Sequence, residues 1–119
     1  MKQLIRNVKI SGTGSYVPGK VLTNEYLETL IDTNSSWIFE NVGIKERRIA
    51  DEKEATSDLA YRAGLNAIEN AGLKSKDIDL IIVATATPDR KAPSTAAFVQ
   101  HKLNAYNAAA FDMNAVCSG

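Results

Sequence analysis

The chain has 119 residues, of which 45% are hydrophobic and 24% charged, a composition typical of one globular domain with a modest core. Lysine plus arginine and aspartate plus glutamate both number 14, so the formal net charge is zero and no electrostatic argument favours nucleic acid or an anionic membrane. The single Cys cannot form an intrachain disulfide. The longest apolar run, Leu80 to Ala84, is too short for a signal peptide or a membrane span. We therefore expect a cytoplasmic protein.

The N-terminal part of the sequence predicts a strand and two short helices. Residues 8–14 alternate apolar with small or polar side chains, which predicts a first strand followed by a turn. Thr23 can cap a short helix, and Asn34 can open a second helical turn that carries Trp37 and stops at Gly43. The apolar positions of the first helix are Tyr26, Leu27, Leu30 and Ile31.

The middle of the chain contains the clearest helical pattern. Thr56 or Ser57 can cap this helix, Gly72 can end it, and apolar, mostly small residues recur at helical spacing between them. These residues are Leu59, Ala60, Ala63, Gly64, Ala67, Ile68 and Ala71. Because most of their side chains are small, we expect the helix to pack closely against a sheet or another helix.

The last part of the chain alternates strands with a helix. Residues 80–84 are a continuous apolar run, which suits a strand that is buried on both faces of a covered parallel sheet. Pro93 and Ser94 start another helix that runs to about Leu103, and residues 108–112 form a short strand. Strand, helix, strand, helix, strand is an α/β pattern with right-handed crossovers.

Two further features have ordinary structural interpretations. The basic block Lys45–Arg48 contains its own acid, Glu46, and is interpreted as a solvated face, with contact to a phosphate-bearing ligand as the alternative. Gly12 and Gly14 lack the third Gly and the Lys-Ser/Thr of nucleotide-binding loops, so a structural turn is favoured there. The sequence offers no cluster of metal ligands.

Cys117 is the candidate nucleophile. It follows the last predicted strand and precedes Ser118-Gly119, small residues that permit a tight strand-to-helix turn with the side chain exposed at the carboxyl edge of a sheet. If a helix continues beyond Gly119, the partial positive charge at its N-terminus favours a thiolate. Backbone N–H groups at the turn can stabilise the oxyanion formed when a thioester is attacked. On physical grounds alone, a lone Cys after a strand is more often a small buried hydrophobic residue.

Six blocks of residues, in order along the chain, carry a family resemblance. They are Gly12–Pro18, Thr33–Trp37, Gly43–Ala50, Val83–Pro88, Pro93–Ala96 and Phe111–Gly119. The last block resembles the active-site cysteine motif of the β-ketoacyl-acyl carrier protein synthase III family of thiolase-like condensing enzymes, and the others resemble the same family. The resemblance covers essentially the whole chain, and several spaced blocks together are far more specific than any one of them.

The resemblance implies a fold and a reaction. The fold is the first half of a five-layer αβαβα thiolase-like fold with a mixed, mostly parallel sheet and crossover helices, so residues 1–119 are expected to be a truncated N-terminal half-domain. Cys117 is expected to take an acyl group from acyl-CoA and then to condense it with malonyl-acyl carrier protein, which initiates fatty acid synthesis. CoA thioester is thus a substrate, no cofactor is bound permanently, and a homodimer is expected.

The resemblance also assigns CoA contacts. It implies that Trp37 packs against the adenine of CoA and that Thr33 lines the same groove. From the residues alone, Trp37 is interpreted as a partly buried aromatic that anchors a short helix. Asn41 stands where many relatives carry an Arg that helps to hold CoA, and Ala92 stands where relatives often present a bulky aromatic at the dimer interface. The second departure suggests a wider acyl pocket.

The family's carbanion-stabilising His and Asn come from its later half. His101 is the only His and is interpreted as a surface residue within a helix. We therefore expect this chain alone to be inactive in condensation, and to be poorly soluble or self-associating because its apolar surface is incompletely covered. Two alternatives stay open, namely a related starter-unit synthase of secondary metabolism and, from a different class, a non-catalytic α/β interaction module.

Overall fold

The structure, a computed structural model, describes residues 8–119. Residues 17–55 form one compact unit, called here the hairpin unit, while residues 8–16 and 56–119 form another, called the core unit. Within the described residues, none of the helices has the length and apolar character needed to cross a membrane.

The hairpin unit consists of two short strands with two helices between them. Strand β1 (Lys20–Thr23) is followed by helix α1 (Asn24–Glu28), helix α2 (Ser35–Val42) and strand β2 (Glu46–Ile49). The strands pair in antiparallel fashion, with Lys20 opposite Ile49 and Thr23 opposite Glu46. The sequence patterns did not predict these strands, because they are only four residues long and β2 is mostly charged.

The helix caps predicted in the hairpin unit are confirmed. Thr23 Oγ1 accepts the Tyr26 N–H at 3.2 Å, and Asn34 Oδ1 accepts the Trp37 N–H at 2.7 Å. Gly43 ends α2 at a φ of 75°, a left-handed conformation that costs glycine little. Helix α1 is shorter than predicted. It ends at Glu28, so the predicted apolar positions Leu30 and Ile31 lie beyond it and are exposed.

The core unit follows the predicted α/β order. Helix α3 (Thr56–Asn70) leads through a 3₁₀ turn (Ser75–Asp77) to strand β3 (Leu80–Ala84), helix α4 (Thr95–Leu103) and strand β4 (Ala109–Met113). Strands β3 and β4 pair in parallel, with Leu80 opposite Ala109 and Ala84 opposite Met113. Ser94 is the cap of α4, since its Oγ accepts the Ala97 N–H at 3.2 Å.

The core is formed by α3, α4 and one face of the parallel strand pair. Its buried members are Val83, Ala96, Val99, Leu103, Ala105 and Ala108. Partly buried residues of α3, including Ala60 and Ile68, pack against them. The small side chains predicted along α3 therefore do allow close packing.

Strand β3 was predicted to be buried on both faces, and this prediction is wrong for the described residues. Ile81 and Val83 pack against the core, whereas Leu80 and Ile82 are each 49% exposed. Successive side chains of a strand point to opposite faces, and the helices cover only one of them.

The predicted strand over residues 8–14 is also wrong, because no strand within residues 8–119 pairs with it. The segment lies instead along α3, where a Cβ on Gly12 would be 2.6 Å from the Ala67 carbonyl oxygen. The Thr13 N–H donates to Asn70 Oδ1 at 3.2 Å, and Asn66 Nδ2 donates to the Ser15 carbonyl at 2.9 Å. The two glycines thus serve close packing and do not form the turn that was predicted at them, and the alternation of side chains misled the strand prediction.

Candidate functional site

Cys117 is exposed in a tight turn after β4. The turn is a short 3₁₀ segment, Val116–Ser118, in which the Ser118 N–H donates to the Ala115 carbonyl at 2.9 Å. The Gly119 N–H donates to the Val116 carbonyl at 3.3 Å. The structure therefore confirms an exposed thiol in a tight turn after a strand, and it contradicts the interpretation of Cys117 as a buried hydrophobic residue.

The backbone is strained directly before this Cys. Val116 has a φ of 49°, which lies in the left-handed region, and its side chain is 74% exposed. A β-branched residue is rarely found in this region, and the conformation costs about 1–2 kcal/mol. Such strain concentrates where a fold holds a functional group in a fixed direction. No sequence pattern signalled it, because Val is an unusual residue for that conformation.

The loop after β3 lies at the same edge of the sheet. The Thr85 N–H donates to the Met113 carbonyl at 3.0 Å, which extends the pairing of the two strands beyond β3. A Cβ on Gly119 would be only 3.1 Å from the Ala84 Cβ, so a side chain at this position would crowd the end of β3. The small residues after Cys117 therefore allow its turn to lie against the end of β3.

Asp112 holds the start of α4 against β4. Its two carboxylate oxygens accept the N–H groups of Thr95 and Ala96, each at 2.7 Å. Sequence reasoning missed this residue. The available signal was an Asp inside a short apolar strand, a place where Asp is uncommon.

A pocket in the hairpin unit brings together the two predicted CoA contacts. Asp32, Thr33, Asn34 and Trp37 line an open pocket of about 270 Å³. The Trp37 side chain is 56% exposed, and its carbonyl accepts Asn41 Nδ2 at 2.9 Å. Trp37 is therefore partly buried, as the residues alone predicted, and more than half of its surface stays exposed. Cys117 belongs to the core unit.

The remaining candidates are mostly surface residues. His101 is exposed on α4, and its Nδ1 lies 3.4 Å from the Tyr106 hydroxyl, in accord with a surface residue. Ala92 lies in an exposed loop before α4. Among residues 8–119, no group of three or more His, Cys, Asp or Glu side chains could hold a metal ion.

The basic block is only partly the solvated face that was predicted. Lys45, Glu46 and Arg48 are exposed, whereas Arg47 is half-buried. The Arg47 guanidinium donates to Asn24 Oδ1 at 2.8 Å and to the Leu22 carbonyl at 3.4 Å. This Arg therefore stabilises the hairpin unit, and the solvated interpretation is wrong for it.

Comparison with known proteins gives one consistent result. The chain is 59% identical over 110 residues to the β-ketoacyl-[acyl-carrier-protein] synthase III of Caldanaerobacter subterraneus subsp. tengcongensis. The aligned region covers 92% of this chain and 33% of that protein. The crystal structure of 3-oxoacyl-[acyl-carrier-protein] synthase III from Aquifex aeolicus matches with a TM-score of 0.89 and 50% identity, over 93% of this chain and 36% of that one. No protein-family model matches the chain.

A third match comes from another pathway. The priming β-ketosynthase of the R1128 polyketide biosynthetic pathway matches with a TM-score of 0.86 and 36% identity, over 90% of this chain and 32% of that one. These similarities confirm the thiolase-like α/β fold expected from the sequence. The chain spans about a third of the length of the proteins it matches, and over that part its sequence is similar to β-ketoacyl-[acyl-carrier-protein] synthase III proteins.

Proposed function

We propose that this chain is the nucleophile-bearing part of a β-ketoacyl-acyl carrier protein synthase III, a condensing enzyme that initiates fatty acid synthesis. The observation that carries the proposal is the exposed Cys117 on a strained turn at the carboxyl edge of the β3–β4 pair. The identity to curated synthases supports it. The expected compartment is the cytoplasm and the expected assembly a homodimer, as the family resemblance implies.

The proposed reaction has two stages. The Cys117 thiolate attacks the carbonyl carbon of acyl-CoA, and the tetrahedral oxyanion collapses with release of CoA thiolate, which takes up a proton. Malonyl-acyl carrier protein then loses CO₂, and the resulting carbanion attacks the enzyme thioester, which forms a carbon–carbon bond and frees Cys117. Dividing the chemistry in this way is covalent, ping-pong catalysis. Acyl-CoA is a substrate in this scheme, and no permanently bound cofactor is needed.

The pocket of the hairpin unit is the proposed CoA contact. An exposed indole offers a flat apolar face to an adenine ring, and Thr33 lies beside it in the same pocket. Asp32 also lines this pocket, so one acidic side chain lies where a phosphate-bearing ligand is expected. Asn41, at the end of α2, supplies no positive charge to offset it.

The test is the intact mass of the purified protein before and after incubation with acyl-CoAs of increasing chain length. We expect one acyl adduct on the wild-type protein and none on Cys117→Ala. A wild-type protein that takes up no acyl group from any of these esters would overturn the proposal.

If Ala92 widens the acyl pocket, esters longer than acetyl will react at least as fast as acetyl-CoA. A clear preference for acetyl-CoA would contradict that part.

A second candidate function is starter-unit transfer in secondary metabolism. It is favoured by the 0.86 TM-score to a priming β-ketosynthase of a polyketide pathway. Both candidates form the same Cys117 thioester, so the acceptor distinguishes them. In a protein that also carries the family's later half, release of the acyl group by malonyl-acyl carrier protein of fatty acid synthesis supports the first candidate, and release only by another carrier or nucleophile supports the second.

A further inference from the structure

Asp112 is an unusual residue for its position. It lies within β4, opposite Val83 of the core, where a charged side chain is unfavourable without partners. Both of its oxygens are paired, one with the Thr95 N–H and one with the Ala96 N–H, each at 2.7 Å. Short bonds from N–H groups to a carboxylate are about twice as strong as neutral ones.

This carboxylate does more than cap α4. Ser94 accepts only the Ala97 N–H, at 3.2 Å, and Asp112 accepts the two N–H groups before it. What Asp112 adds is a connection between the start of α4 and the strand that leads to Cys117. Ser94 makes no such connection, since its bond stays within the first turn of the helix.

The connection extends to the loop between β3 and α4. Thr95 is fully buried, and its Oγ1 accepts the Asp89 N–H at 3.1 Å. Asp89 Oδ1 in turn accepts the Ser57 N–H at the start of α3, at 2.9 Å. The starts of both helices and this loop are thereby fixed to the end of β4, four residues before the turn that carries Cys117.

We infer that Asp112 is a positioning residue for acyl transfer. By holding β4 to the start of α4, it fixes the direction of the Cys117 turn relative to the loop that contains Ala92. An amide cannot replace it, because an Asn side chain offers one oxygen to two N–H donors. This inference rests on the proposed function, in which Cys117 is the acyl acceptor.

The test compares Asp112→Asn with Ser94→Ala. Both variants weaken the start of α4, but only Asp112→Asn weakens its connection to β4, because at least one of the two hydrogen bonds loses its charged acceptor. We expect both variants to have a lower melting temperature than the wild type. The limiting rate of Cys117 acylation by acetyl-CoA should fall about ten-fold or more in Asp112→Asn. In Ser94→Ala this rate should stay within about two-fold of the wild-type rate. The half-saturating concentration of acetyl-CoA should be unchanged in both, because a positioning residue affects the chemical step.

The outcomes are separable. If the wild-type protein is acylated and Asp112→Asn reacts as fast as Ser94→Ala, the positioning role is overturned while the proposed function stands. If the wild-type protein takes up no acyl group, the proposed function is overturned and the positioning role with it. Should Asp112→Asn fail to fold, Thr95→Pro removes one of the two donors, and with it the hydroxyl that accepts the Asp89 N–H, at a helix position that accepts proline. The same selective fall in acylation rate is expected. An unchanged rate in Thr95→Pro would overturn the inference.

Discussion

Gly14 lies so close to α3 that a Cβ at this position would be 2.3 Å from the Ala63 carbonyl oxygen. The same Cβ would be 2.3 Å from the Ala67 backbone nitrogen, so two backbone atoms of a packed helix block it. We expect Gly14→Ala to lower the free energy of unfolding by about 3 kcal/mol, because neither atom can move without distorting α3. Urea denaturation of the variant and the wild type measures this difference.

Gly64 provides the matched control for that substitution. It lies within α3, where a Cβ would meet only the Leu103 Cδ1 atom at 3.7 Å, an ordinary van der Waals distance. Gly64→Ala should therefore raise the free energy of unfolding by about 0.5–1 kcal/mol, since alanine is the better helix former. Two glycine-to-alanine changes of the same sign would contradict the packing described for Gly14.

The helices were predictable from sequence, and the short strands were not. Local signals define both helices, namely the recurring apolar stripe of α3 and the capping residue Ser94 of α4. The predicted caps of α3, Thr56 or Ser57, lie inside that helix, and the Ser57 N–H is accepted by Asp89. The pairing of β1 with β2 depends on residues that are distant in sequence, such as Val21 opposite Arg48, and four-residue strands carry too little periodicity to reveal it. Residues 8–14 alternate like a strand, but their glycines are used for contact with α3.

The candidate site shows the same division. The small residues that follow Cys117 predicted a tight turn after a strand, and the structure has one. The positive φ of Val116 could not be predicted, because it is imposed by the surrounding fold on a residue that disfavours it. Asp112 was missed because its partners, the first N–H groups of α4, are defined only once β4 and α4 are packed together.

Asn24 links three parts of the hairpin unit from a position only 1% exposed. Its Nδ2 donates to the Ile44 carbonyl at 2.8 Å, and its Oδ1 accepts from Arg47 at 2.8 Å. Asn24→Ala would leave a carbonyl and a guanidinium without these partners, so we expect a loss of about 2–3 kcal/mol in the free energy of unfolding. Asn41→Ala, which removes an exposed amide with one backbone bond, should cost less than about 0.5 kcal/mol. Equal losses in a denaturation series would contradict the role given to Asn24.

Glu25 makes the stability of the hairpin unit dependent on pH. The pKa of its carboxyl is lowered by its own backbone N–H and by hydrogen bonds from the Ser35 and Thr23 hydroxyls. Since the folded pKa lies below the unfolded one, this stabilisation is present above the unfolded pKa and is lost as the pH falls through the folded pKa. When the pH is lowered below the ordinary pKa of a glutamate, the free energy of unfolding should therefore fall less in Glu25→Gln than in the wild type.

The measurement is the free energy of unfolding at a series of acid pH values. Glu40→Gln, which replaces an exposed glutamate on α2, is the control for the removal of one carboxylate. The assignment to Glu25 fails if Glu25→Gln and Glu40→Gln give the same slope.

Trp37 tests the proposed CoA contact. Because its side chain is 56% exposed, Trp37→Ala should change the melting temperature little. Stacking of a base on an aromatic ring contributes about 1–3 kcal/mol, so the half-saturating concentration of acyl-CoA should rise about ten-fold or more. Phe39→Ala removes another exposed aromatic from α2, one that lies under Lys45, and should leave acyl-CoA binding unchanged. A similar effect of both substitutions would argue against a specific contact at Trp37.

Asn41 offers the converse test, a gain of binding. It lies near the end of α2, a helix with no basic residue in its last turn, and its amide donates to the Trp37 carbonyl. Asn41→Arg would place a cation near the proposed CoA pocket. The same cation would lie near the negative end of the helix and should stabilise α2 by about 0.3–1 kcal/mol. We expect a several-fold lower half-saturating concentration of acetyl-CoA at low ionic strength.

The substrate itself supplies the control for this gain. Acetyl-pantetheine carries the same thioester without the phosphates or the adenine, so Asn41→Arg should leave its reaction with Cys117 unchanged. Because an exposed arginine is screened by salt, the advantage with acetyl-CoA should shrink as the ionic strength is raised toward about 1 M. An improvement that persists at high salt, or that appears equally with acetyl-pantetheine, would mean that the arginine acts through the stability of α2 and not on a CoA phosphate.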